Sequence, residues 1–152
     1  GFAEMYLNNE NVENQIRTME VSNNVSRVAE VSQVRAKLVE QQQEMGKEKG
    51  IVMDGRDIGT VVFPDAELKI FMNASPETRA QRRFDELQGK GQHVTYGEVL
   101  KNVQERDYID THRDDSPLVK ASDAIEIDNS NLSRDEQFQK VLDLVNSTTK
   151  SL

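Results

Sequence analysis

The chain has 152 residues, one domain's worth of polypeptide and enough to enclose a core. A net charge of −8 argues against nonspecific binding to nucleic acid or to anionic membranes. The lack of cysteine excludes a disulfide framework and a thiolate metal site, and no apolar run is long enough to span a bilayer.

The elements follow in chain order. Glu4 to Leu7 reads as a short strand, with Asn8-Asn9-Glu10-Asn11 as its turn. Thr18 to Glu30 reads as a helix whose Val21, Val25 and Val28 form an inward stripe. Ser32 to Lys49 reads as a second helix, with Val34 and Leu38 inward and Gly50 as its stop. Ile51 to Asp54 and Leu68 to Met72 have the length and composition of buried strands. Ser75-Pro76 opens a helix, serine as cap and proline in the first turn. Thr95-Tyr96-Gly97-Glu98 has capping-box spacing and opens a long helix through about Arg113. Ala124 to Ile127 is a strand candidate. Ser133-Arg134-Asp135-Glu136 is a second capping box, opening a last helix with Phe138, Val141, Leu142 and Val145 inward. Strands alternating with helices predict an α/β class with a parallel sheet.

Chemistry concentrates in two places. The run Gly50-Ile51-Val52-Met53-Asp54-Gly55-Arg56-Asp57-Ile58-Gly59-Thr60 leads from an apolar segment into carboxylates, a guanidinium and glycines. Strand carboxyl ends are where open α/β sheets present their sites, and this charge pattern suits an anionic, hydrogen-bond-rich ligand. In the helix after Thr95, Arg106, Asp110 and Arg113 are spaced i, i+4 and i+7 and lie within roughly 60° of one another on one face. Two guanidiniums flanking a carboxylate suit a phosphorylated sugar. The same spacing also fits an ordinary Arg–Asp pair on a solvated face. Arg79, Arg82 and Arg83 form a second basic stripe, either a phosphate clamp or a surface stripe balanced by Glu86. Ser26 and Arg35 flank apolar stripes and, taken singly, read as helix-surface polar residues.

His93 and His112 lack metal-ligand spacing and read as surface residues. Asp107, Asp110, Asp114 and Asp115 are interleaved with arginines that would repel a cation, so no metal site is expected. Asp54 and Asp57 are three apart, whereas a phosphatase that uses an aspartate nucleophile needs them two apart. They are not read as a catalytic dyad.

Together these segments resemble bacterial cytidylate kinases, nucleoside monophosphate kinases of the P-loop class. The resemblance rests on Ile16-Arg17-Thr18, Glu20-Val21-Ser22, Val25-Ser26, Val34-Arg35 and the block from Gly50 to Ala66. It continues through Lys69-Ile70-Phe71, Arg79 to Arg83, Glu105-Arg106-Asp107, Asp110, Arg113 and Ser116-Pro117-Leu118. It implies phosphoryl transfer from ATP, with Mg2+, to CMP or dCMP in the cytoplasm. No nucleic acid, membrane or obligate protein partner is implied. Ser26, Arg35 and Asp57 match residues that read the cytosine edge. Asp110 and Arg106 match contacts to the ribose and neighbouring phosphate. Arg56 and Arg113 match α-phosphate contacts, and with Arg82 they form the expected catalytic set. Arg79, Arg82 and Arg83 match the base of a lid over ATP.

The resemblance also divides the chain. Residues about 4–12 correspond to the end of a monophosphate-binding insert and 13–74 to core helices and strands. Residues about 75–113 correspond to the lid and its flanking helices, and 114–152 to a core strand and the C-terminal helix. One departure stands out: the glycines at 1, 46, 50, 55, 59, 89, 91 and 97 never form G-x-x-x-x-G-K-[ST]. The expected fold is therefore a P-loop kinase-like parallel sheet with flanking helices, lacking the N-terminal strand–P-loop–helix unit. The family's P-loop strand lies between the runs at Ile51–Asp54 and Leu68–Met72. The expectation is a C-terminal portion that is inactive alone and supplies mainly the monophosphate-binding and lid residues; the alternative is a non-catalytic nucleotide-binding fragment that needs an N-terminal segment to fold or act.

Overall fold

The computed structural model describes residues 4–150. In chain order it contains β1 (Tyr6–Leu7), β2 (Glu10–Asn11), a 3-10 turn (Gln15–Arg17), α1 (Met19–Ala29) and α2 (Ser32–Met45). A π-helical turn (Ile58–Val62), β3 (Ile70–Asn73), α3 (Pro76–Gly89), α4 (Tyr96–His112), β4 (Ile125–Asp128) and α5 (Arg134–Thr149) follow.

The strands form two small sheets. β1 and β2 pair antiparallel, Leu7 opposite Glu10. Asn8 and Asn9 sit at φ 51° and 67°, the left-handed pair that a two-residue hairpin turn requires and asparagine tolerates. Glu10 and Asn11 therefore belong to the return strand and not to the turn. β3 and β4 pair in parallel, from Ile70–Ile125 to Asn73–Asp128. A parallel pair needs a crossover, and α3 and α4 supply it. The result is a mixed α/β fold with a small parallel sheet and flanking helices.

Helix starts follow the caps. Thr18 Oγ1 accepts from the Val21 N–H, and Ser75 Oγ accepts from the Thr78 N–H at 3.1 Å. Thr95 with Glu98 and Ser133 with Glu136 form reciprocal capping boxes. The core lies between α3 and α4, where Ala80, Leu87 and Val99 are fully buried. Phe84 meets Tyr96 edge to face at 6.2 Å and 87°. Burying side chains such as Leu87 and Val99 stabilises the fold by about 1.5–3 kcal/mol each. α1 packs across α4, which places the α1–α4 seam beside the loop that carries Arg56 and Asp57.

Three further expectations are corrected. Ile51–Asp54 forms no strand: its backbone has no ladder partner among the described residues, and Val52 is 97% exposed. A strand exists only through its neighbour, so an apolar run without one stays irregular. α2 stops at Met45, four residues before the expected end. Gly46 takes the C-cap, where an added Cβ would come within 2.4 Å of the Phe63 ring, while Gly50 at φ 63° turns the following loop. The valine stripe of α1 stands exposed, as do Val34, Leu38, Phe138 and Leu142. Val141 and Val145 are half-buried. α1 instead buries Ser22 and Ser26, because the face it turns to α4 is polar.

Candidate functional site

Asp57 is set by its backbone. Its carbonyl accepts from the N–H of Val61 at 2.9 Å and from those of Thr60 and Val62 at 3.3 Å, closing the π-helical turn. The carboxylate is thereby turned inward, and Asp57 is only 4% exposed. Arg35, in the first turn of α2, forms an ion pair with Asp57 Oδ2 that lacks hydrogen-bond geometry.

Asp110 on α4 is the second buried carboxylate. Arg56 Nε donates to its Oδ2 at 3.0 Å, and Arg113 Nη1 donates to its Oδ1 at 3.2 Å. Arg113 is also clamped from below. The Ser116 carbonyl accepts from its Nε at 2.8 Å and its Nη2 at 2.7 Å. Ser116 sits at φ 53°, which folds the chain back after α4. Arg106, one turn before Asp110, donates from Nη1 to Ser22 Oγ at 3.2 Å. Arg35, Arg56, Asp57, Arg106, Asp110 and Arg113 line one cleft of about 270 Å³, with Ser26 at its edge.

Four guanidiniums face two carboxylates there, a local excess of two positive charges in a chain of net charge −8. Burial, then the like charge of Arg56, holds Arg106 below the ordinary arginine range. Burial, then Arg35, does the same for Arg113. Arginine keeps its proton in proteins, so these directions record mainly the burial of two charged groups, with a neighbouring arginine adding to it in each case. Arg35 Nε and Arg106 Nε are moreover buried donors without a partner. Such groups are costly to leave unmet. The arrangement can receive a dianion that also offers hydrogen-bond acceptors.

The seven residues Ser26, Arg35, Arg56, Asp57, Arg106, Asp110 and Arg113 are thus brought together. Arg79, Arg82 and Arg83 lie elsewhere. Arg79 grips Asp107 with both Nη atoms, at 2.9 and 2.6 Å, and its Nε donates to the Ala74 carbonyl. Arg82 donates to the Asn129 carbonyl at 2.6 Å. Arg83 donates to Glu86 and to the Arg17 carbonyl. Sequence reasoning missed Ser22 and Asn102, both buried: Ser22 accepts from Arg106 and donates to Asn102. The signal was there: Asn102 extends the Arg106–Asp110–Arg113 face by one helical turn, and Ser22 lies one turn before Ser26. Among the described residues no group of three His, Cys, Asp or Glu side chains could hold a metal ion.

Fold and cleft together define a class, an α/β protein with an anion-receiving site where three helices meet a loop. The family model for cytidylate kinase matches residues 1–147. A cytidylate kinase from Flavobacterium johnsoniae is 78% identical over 150 residues, 99% of this chain and 65% of that protein. One from Bacteroides thetaiotaomicron is 64% identical over 137 residues, 90% of this chain and 60% of that protein. One from Porphyromonas gingivalis is 53% identical over 152 residues, 99% of this chain and 66% of that protein. The chain belongs to the cytidylate kinase family. It spans just under two thirds of the length of these curated relatives.

Proposed function

We propose that this chain forms the acceptor half of a kinase that moves a phosphoryl group from ATP to CMP or dCMP, giving ADP and CDP or dCDP. The observation that carries this reading is the cleft itself, with two excess positive charges and two unmet buried donors. A nucleoside monophosphate fits both demands. Its phosphate meets Arg56, Arg106 and Arg113, and Asp110 accepts from ribose hydroxyls. Asp57 accepts from the exocyclic amine of cytosine. Ser26 and the unmet Nε of Arg35 face the base's carbonyl and ring nitrogen. Arg35 keeps the Asp57 carboxylate oriented for that edge. Catalysis is positioning plus charge stabilisation by Arg56 and Arg113, with no protein nucleophile.

Arg79, Arg82 and Arg83 serve the ATP side from the α3–α4 arm. For Arg82 to reach the transferring phosphoryl, it must exchange the Asn129 carbonyl for a phosphate oxygen. The residues present do not fit a Mg2+–nucleotide cradle. The sequence holds no G-x-x-x-x-G-K-[ST], and both cleft carboxylates are committed to arginines. The same fact favours a second reading, CMP binding by this chain without turnover.

Calorimetric titration with CMP tests the shared part. Saturable binding that weakens about tenfold or more on Arg106→Ala is expected. A folded sample giving no heat refutes it. A coupled ATP/CMP assay on the same chain separates the two readings: turnover supports a complete kinase, and binding without turnover supports the acceptor half alone.

A further inference from the structure

The α1–α4 seam is polar where a seam of this kind is ordinarily apolar. Ser22 and Asn102 are 8% and 7% exposed, while Val21, Val25 and Val28 of the same α1 stand exposed. Burying a hydroxyl and a carboxamide is costly unless each group is paired, so the pairing partners carry information.

The hydrogen bonds run in one direction. A guanidinium can only donate, so Ser22 Oγ must accept from Arg106 Nη1. The single hydroxyl proton of Ser22 then goes to Asn102 Oδ1 at 2.8 Å. This turns the oxygen of the Asn102 amide toward Ser22 and its Nδ2 toward Asn23 Oδ1, at 2.7 Å. Donation starts at the Arg106 guanidinium, passes through the two buried groups and ends on Oδ1 of exposed Asn23. The Arg106 Nε, also buried, has no partner.

We propose that Ser22 and Asn102 are positioning residues for Arg106, a hydrogen-bond relay of fixed polarity that aims its guanidinium at the acceptor nucleotide. The proposal rests on the reading of the cleft given above. It assigns a role in substrate alignment to two residues that touch no substrate themselves.

Ser22→Ala should weaken CMP binding by about fivefold in calorimetry, and Ser22→Thr, which keeps the hydroxyl, should restore it. A double-mutant cycle separates alignment from general stability. In the Arg106→Ala background, Ser22→Ala should cost nothing further. Losses that add, or a Ser22→Ala affinity equal to that of the unsubstituted chain, overturn the relay. If circular dichroism shows Ser22→Ala unfolded, Ser22→Cys keeps the shape while supplying only a weak acceptor, and the same cycle applies. A ligand-free measurement stands apart from the nucleotide reading. In ¹⁵N spectra the Arg106 Nη1–H, the group that Ser22 accepts from, should exchange with water several-fold faster in Ser22→Ala. An unchanged exchange rate overturns the relay whatever CMP does. Faster exchange in a chain that binds no CMP supports the relay and overturns only the nucleotide reading.

Discussion

Asp110 gives one carboxylate oxygen to Arg56 and the other to Arg113, and Asp110 and Arg113 are both almost wholly buried. Removing one partner of a buried pair strands the other charge. Asp110→Asn should therefore lower stability by about 3 kcal/mol, read as a shifted urea midpoint. An unchanged midpoint would mean that water reaches these groups. The Arg79–Asp107 fork makes a milder claim, since both side chains are partly exposed. Arg79→Lys keeps the charge but loses the two parallel bonds, and should lower stability by about 1 kcal/mol in the same measurement. Site legibility divides along this line. The Arg106–Asp110–Arg113 face could be read from spacing, and the resemblance joined Ser26, Arg35, Arg56 and Asp57 to it. Ser22 and Asn102 share helix faces with these residues, but the spacing alone did not single them out, because a polar helical residue looks the same whether solvent or an arginine pairs it.

The helices were legible at their starts and the strands were not. Ser75, Thr95 and Ser133 each satisfy N–H groups within three residues, a local interaction that sequence spacing encodes fully. Strand identity at Ile51–Asp54 depended on a distant neighbour, which spacing cannot encode. The inward stripe of α1, and Phe138 and Leu142 of the α5 stripe, failed for a related reason: amphipathicity names a face but not what covers it. The capping boxes predict a pH response. Glu98 and Glu136 are held below the usual glutamate value near 4.5, Glu98 mainly by the Thr95 backbone N–H and Glu136 mainly by the Ser133 hydroxyl. A depressed carboxyl contributes stability above its ordinary value and loses it as pH falls through the folded value. The melting temperature should therefore drop as pH falls below about 4.5, with a shallower drop in Glu98→Gln/Glu136→Gln. Identical acid limbs in the two proteins would rule out the caps as its source.

At the scale of the molecule, the chain exposes many apolar side chains, including Val52, Phe138, Leu38 and Val28, and carries a net charge of −8. Apolar exposure favours self-association, and like charge opposes it. Raising ionic strength screens only the repulsion. Sedimentation velocity should therefore show larger species in high salt than in low salt, and the reverse order would show that ionic contacts drive any association. The crossover between β3 and β4 has a kinetic consequence. Ile70 and Ile125 are paired across the whole α3–α4 segment, so closing the sheet directly would mean closing a long loop. Leu87 and Val99 meet within that segment and at much shorter range. Once α3 and α4 have packed, they hold the ends of β3 and β4 together and the entropy of sheet closure is largely met. Leu87→Ala should then slow refolding, whereas Ile127→Ala should mainly hasten unfolding. The helical pair would thus be the nucleus of this fold, and the parallel sheet a late product of it.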